Sequence, residues 1–135
     1  MTDSAPKKAS IFITDDDKFL LDMYAVKFTE RGYNVDTAFN GKEMIGKLEA
    51  GAKPDACLID IVMPGMDGFE LLSRLKESNF CKGVPVIILS NLGQKEDIER
   101  GISLGASGYI VKANATPTEV VNRLEEIIKA NTTGQ

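Results

Sequence analysis

Leu58-Ile59-Asp60-Ile61-Val62-Met63-Pro64-Gly65-Met66-Asp67-Gly68 reads as an apolar strand running into one carboxylate, then a proline–glycine turn, then a helix start. A charge at the end of a buried strand is costly unless something compensates it. Asp60 is therefore either a structural cap on the turn or a functional carboxylate. What the rest of the chain brings beside it decides between the two.

Working outward, residues 55–60 form the third of five short apolar strands. Ile11-Phe12-Ile13 is the first and ends at Thr14 before Asp15-Asp16-Asp17. Leu20, Leu21, Tyr24 and Phe28 then share a helical face, and Gly32 offers a stop. Residues 33–38 alternate as an edge-type strand, and Asn40 with Glu43 three residues on opens a helix carrying Met44, Ile45 and Leu48. Asp67 and Glu70 repeat that pattern ahead of Phe69, Leu72 and Leu75. Residues 84–89 are the most hydrophobic strand, with Pro85 at its start, and Ser90-Asn91 follow.

The helix after Lys95 is the weakest, with Ile98 and Ile102 as its few apolar anchors and Gly101 interrupting it. Gly108-Tyr109-Ile110-Val111 is the fifth strand and ends at Lys112. Thr116-Pro117-Thr118-Glu119 is the clearest helix start: a capping threonine, proline at the first helical position and glutamate at the third. Val120, Val121, Leu124, Ile127 and Ile128 form its buried stripe. Strands that alternate with crossover helices are mostly parallel, with helices on both faces. The expected fold is α/β, a doubly wound five-stranded parallel sheet in the flavodoxin-like order 2-1-3-4-5. One domain is expected over residues 10–130, with flexible tails over 1–9 and 131–135.

Composition narrows the function. At 135 residues and 43% hydrophobic content the chain can bury a core without staples, and its net charge of −4 disfavours nucleic acid and anionic membranes. No apolar run reaches the roughly 18 residues of a membrane span, and no signal-peptide core stands at the N-terminus, so cytoplasm is the expected compartment. Cys57 in a strand and Cys81 in a loop suggest one buried and one surface thiol, with no disulfide framework or metal knuckle. The chain has no histidine, which excludes His-based triads, imidazole zinc sites and any phosphohistidine of its own.

In parallel α/β sheets, ligands bind outside the carboxyl ends of the strands. Four segments deliver polar groups there: Asp15-Asp16 after the first strand, Asp60 after the third, Ser90 after the fourth and Lys112 after the fifth. Each has a bland reading taken singly. Asp17 fits a helix cap, Asp60 and Ser90 could cap turns, and a lysine after a strand is usually solvated. Together they make a chemical set. Crowded carboxylates repel one another, a conflict that Mg²⁺ relieves by taking one or two of them with waters and phosphate oxygens. A carboxylate can attack a phosphoryl group to give an aspartyl phosphate. A metal and an ammonium group offset the approach of anion to anion.

On these motifs the chain resembles a response-regulator receiver domain of the single-domain kind seen in chemotaxis signalling, from Ser10 to Ala130. The resemblance rests on Ile11-Phe-Ile-Thr-Asp15-Asp16-Asp17, Leu58-Ile-Asp60-Ile-Val-Met-Pro64-Gly-Met-Asp-Gly68, Val86-Ile-Ile-Leu-Ser90 and Gly108-Tyr109-Ile-Val-Lys112. It implies a phosphorylation-dependent switch of a two-component phosphorelay. Asp60 would be the phosphoacceptor, and Asp15, Asp16, Asp60 and the Val62 backbone carbonyl would serve Mg²⁺ (or Mn²⁺), Asp15 mainly through water. Ser90 would hydrogen-bond the phosphoryl oxygen, Lys112 would pair with the phosphoryl group, and Tyr109 would be the switch aromatic moving with Ser90. The plainer alternative for Tyr109 is a half-buried strand aromatic with its hydroxyl in water. The phosphodonor would be a histidine kinase or histidine phosphotransfer protein. The domain would catalyse its own phosphorylation and dephosphorylation without turning over an external substrate. Output would pass to another protein through the fourth helix, fifth strand and last helix.

Three departures from the family pattern bear on the site. Ala113 stands where proline usually follows the lysine; a cis non-proline bond costs about 2.5–4 kcal/mol, so a trans bond and a different local loop are expected. Asn91 is larger than the residue the family prefers there, which would narrow access. Val62 and Leu92 are both apolar and cannot orient an attacking water, so slow self-dephosphorylation is expected. Among rivals, a haloacid-dehalogenase-like phosphatase would need a second aspartate at Val62, and a flavin carrier would place phosphate beside the repelling Asp15-Asp16-Asp17. A phosphorylation-independent binding module on the same fold is the remaining alternative.

Overall fold

The computed structural model describes residues 9–133. Five strands, β1 (Ser10–Thr14), β2 (Asn34–Ala38), β3 (Ala56–Ile59), β4 (Val86–Ser90) and β5 (Gly108–Val111), alternate with α1 (Lys18–Glu30), α2 (Gly41–Glu49), α3 (Gly68–Glu77), α4 (Lys95–Ser103) and α5 (Pro117–Thr133). All strand pairs are parallel and the order is β2-β1-β3-β4-β5, as the alternation predicts. β1 and β3 lie side by side with Thr14 opposite Ile59, so Asp15 and Asp60 leave the sheet at the same edge. β4 follows with Ile88 opposite Ile59, and Ser90 is paired with Val111, one residue before Lys112. Register alone thus gathers the polar residues.

The inner strands β1, β3 and β4 are apolar on both faces because helices cover both, whereas the edge strand β2 alternates exposed and half-buried residues. On one face Phe12, Ile59 and Ile88 pack with Met44, Leu71, Leu72 and Leu75. On the other, Ile11, Ile13, Leu58, Ile87 and Ile110 pack with Leu21, Tyr24, Phe28, Val120 and Leu124 of α1 and α5. Truncating one such residue, Leu72→Ala for example, costs about 2–5 kcal/mol. The predicted caps form. Asp17, Asn40 and Asp67 accept from the backbone N–H groups of Leu20, Glu43 and Glu70. Thr116 and Glu119 exchange reciprocal bonds at 3.1 and 2.8 Å, a complete capping box.

Several expectations are corrected. β2 and β4 start one and two residues later than expected, at Asn34 and Val86, because the Tyr33 and Val84 N–H groups donate back to Phe28 O and Cys81 O and Pro85 has no N–H. α5 runs through Thr133, past the expected end at Ala130, since no proline or glycine precedes Gly134. The expected N-terminal tail lies outside the described residues except for Ala9. Cys81 is no surface thiol: it is 2% exposed and joins the Phe12 cluster with Cys57, because the loop after α3 folds inward there. In α4, Gly101 is the buried residue while Ile102 is 48% exposed. The glycine read as an interruption is instead the point of contact. A Cβ there would stand 2.6 Å from Ile88 Cδ1.

Candidate functional site

Asp15 and Asp60 are 2% and 6% exposed, yet both are carboxylates, so each must be compensated from within the protein. Asp60 Oδ1 accepts the backbone N–H of Ile61 at 2.7 Å. Its Oδ2 accepts from Lys112 Nζ at 2.9 Å. Asp15 Oδ1 accepts the backbone N–H of Asp17 at 2.9 Å, and its Oδ2 lies 2.8 Å from the same Lys112 Nζ. One ammonium group therefore bridges two carboxylates from different strands. The backbone beneath is pinned as well: Asp60 N–H donates to Thr14 O at 3.0 Å and Asp15 N–H to Ala38 O at 3.1 Å.

Electrostatics follow from that geometry. Burial pushes the Asp15 carboxyl above the usual range, and the hydrogen bond from Lys112 and the Asp17 amide only partly offset it. Burial works against the charge on Lys112, but the hydrogen bonds and charges of Asp15 and Asp60 outweigh it, so the lysine is held above its ordinary value. Lys112 stays cationic. Asp16 is exposed, and with Asp15 and Asp60 it completes a group in which one oxygen from each carboxylate lies within 4.8 Å of the others. Three carboxylates against one ammonium leave two negative charges uncompensated when all are ionised. An all-oxygen set of that charge suits a hard divalent cation, with open positions left for water and phosphate oxygens.

The turn after Asp60 is shaped for close contact. A Cβ on Gly68 would lie 2.2 Å from Asp60 O, and Gly68 N–H donates to Ile61 O at 2.8 Å, so only glycine fits. Asp67-Gly68 was legible as a helix cap, but this second role depends on a tertiary approach that the sequence does not display.

Ser90 is fully buried at the end of β4, and its Oγ accepts the Leu92 N–H at 3.3 Å. The Tyr109 hydroxyl donates to the Leu92 carbonyl in the same loop, which rules out the reading of a hydroxyl in water. Ser90 and Tyr109 thus both hold the segment between β4 and α4. Val62 is 59% exposed, Asn91 is exposed and Leu92 is half-buried. The peptide bond from Lys112 to Ala113 is trans, as expected, and Lys112–Asn114 forms a short 3-10 turn closed by Ala115 N–H on Lys112 O.

The sequence profile described as the response regulator receiver domain matches residues 11–125. The phosphate regulon transcriptional regulatory protein PhoB of Pseudomonas aeruginosa is 32% identical over 120 residues, covering 89% of this chain and 52% of that protein. The chain spans about half the length of this relative. Among solved structures, the receiver domain of the Francisella response regulator 1452 aligns with a TM-score of 0.81 at 33% identity, covering 90% of this chain and 98% of that one. A chain of the CheX–CheY–BeF3–Mg²⁺ complex from Borrelia burgdorferi aligns with a TM-score of 0.80 at 32% identity, covering 88% of each. No described helix is long and apolar enough to cross a membrane.

Proposed function

Because this chain belongs to the response regulator receiver domain family, whose members serve phosphorylation-dependent signalling, we propose that it is a switch phosphorylated on Asp60. The observation that carries the proposal is the bridge from Lys112 Nζ to Asp60 and Asp15, with Asp16 completing the acidic group. A purely structural cap at Asp60 would need neither the second buried carboxylate nor the third exposed one.

In this reading an Asp60 oxygen attacks the phosphorus of a phosphohistidine on a histidine kinase or histidine phosphotransfer protein. The P–O bond forms, the P–N bond breaks, and the imidazole leaves with its electron pair and takes up a proton. Lys112 pairs with the Asp60 carboxylate at rest and with the phosphoryl oxygens after transfer. Asp15, Asp16, Asp60 and the Val62 carbonyl would hold Mg²⁺ (Mn²⁺ as a substitute), which when bound offsets the charge of the incoming phosphoryl group. The Ser90 hydroxyl, which accepts the Leu92 N–H at rest, donates its proton to a phosphoryl oxygen, and Tyr109, fastened to the same loop, moves with it. The altered surface of α4, β5 and α5 is the face offered to a downstream protein.

The test is labelling by acetyl phosphate, followed by intact mass, with Mg²⁺ and with the metal chelated. A gain of one phosphoryl group that requires Mg²⁺ supports the proposal. No gain from acetyl phosphate or from a phosphorylated histidine donor favours the phosphorylation-independent binding module.

A further inference from the structure

α4 is held to the domain by little. Gly101 is its one buried residue among nine, and Gln94 at its N-terminus makes no side-chain capping bond. Two features seat it. Gly101 approaches the sheet closely enough that a Cβ there would lie 2.6 Å from Ile88 Cδ1 and 3.2 Å from Tyr109 Cδ2. Beside it, the Arg100 guanidinium carbon stands 4.2 Å from the centroid of the Phe69 ring. Phe69 is buried in the first turn of α3, directly after Gly68, whose backbone rests against the Asp60 carbonyl. Arg100 thus ties α4 to the part of α3 that touches the Asp60 peptide. This route involves neither Ser90 nor Tyr109.

We infer that the contact of Arg100 with Phe69 is a latch that holds α4 in its resting seat and opposes the shift driven by phosphorylation. The inference rests on the reading of Asp60 as phosphoacceptor. Gly68 abuts the Asp60–Ile61 peptide, so a displacement of that peptide passes to Phe69 and to the cation stacked on it. A ring face attracts a cation through its quadrupole; a neutral amide in place of the guanidinium loses that attraction, and an ammonium keeps it. Arg100 is a positioning residue here. By linkage, weakening a contact made only in the resting state tightens the binding of whatever favours the shifted state, by the same factor.

The test compares the full chain with Arg100→Gln and Arg100→Lys; Arg100 is exposed, so neither change burdens folding. The first readout is hydrogen exchange of the α4 amides without ligand. The second is the affinity for beryllofluoride with Mg²⁺. Arg100→Gln is expected to raise α4 exchange about two- to fivefold and to tighten beryllofluoride binding by a similar factor, with Arg100→Lys near wild type in both. Unchanged α4 exchange in Arg100→Gln, or Arg100→Lys behaving like it, overturns the latch. Faster exchange with unaltered beryllofluoride affinity overturns its coupling to Asp60. Should the wild type bind no beryllofluoride, the phosphoacceptor reading falls and the proposed opposition to phosphorylation falls with it, while the exchange data still decide whether Arg100 seats α4.

Discussion

Lys112 Nζ lies 2.9 Å from Asp60 Oδ2 across the gap between the fifth and third strands, two positions apart in the sheet. The same nitrogen reaches Asp15 at 2.8 Å, so a single cation is shared by carboxylates that follow two other strands. All three side chains are at most 10% exposed, which places the pairings in the range where loss of one partner is expensive.

Lys112→Met is therefore expected to destabilise the fold by about 3 kcal/mol in metal-free buffer at neutral pH. Added Mg²⁺ should recover a large part of that loss, because the ion supplies the charge that the lysine withdrew. The same variant should bind Mg²⁺ more tightly than wild type, since the competing ammonium is gone. Chemical denaturation with and without Mg²⁺, together with calorimetric titration, measures both effects.

At the far end of α1, Tyr33 OH donates to Glu125 Oε2 at 2.9 Å, and Arg31 holds the other oxygen of that carboxylate at 2.6 Å. Burial, then the hydrogen bond and charge of Glu125, raise the Tyr33 phenol from 10.0 to about 12. A folded-state value above the unfolded one favours the protonated form in the fold. The contribution is complete below pH 10 and is lost as pH rises from 10 through about 12. Tyr33→Phe should be less stable than wild type at pH 8, with the gap closing over that alkaline interval. Denaturant midpoints measured across the range check the sign.

Thr14 Oγ1 is buried at the end of β1 and is the one such side-chain atom without a hydrogen-bond partner among the described residues. A buried hydroxyl without a partner keeps its desolvation cost. Thr14→Val keeps the shape and removes the polar atom, so a gain of about 1 kcal/mol is expected in thermal or denaturant unfolding.

Val62 and Leu92, at the two positions that flank the phosphoryl site in the family pattern, are apolar, and Val62 is largely exposed. Neither can orient a water for attack on the acyl phosphate. The phosphorylated protein is expected to persist for minutes or longer after the donor is removed, and Val62→Gln to shorten that lifetime severalfold. Decay followed by mass tests this; a half-life of seconds in the wild type contradicts it.

The fold and the assembly of the site were legible in the sequence for one physical reason. Parallel strands joined by crossover helices bring all their carboxyl ends to one edge, so Asp15, Asp60, Ser90 and Lys112 had to converge. What stayed hidden depends on contacts between residues distant in the chain. Periodicity places Cys81 in a loop but cannot say that the loop folds into the core. It marks Gly101 as a weak point in a helix when the missing side chain is what lets α4 reach Ile88. Nor does anything local reveal that Phe69 lies beneath Arg100.

Asp60 is the residue proposed to take the phosphoryl group. Intact mass after incubation with acetyl phosphate and Mg²⁺, comparing wild type with Asp60→Asn, tests that most directly; with no tryptophan in the chain, mass is a better probe than intrinsic fluorescence. The prediction is one added phosphoryl group in the wild type and none in Asp60→Asn. Equal labelling of the two proteins would contradict the account.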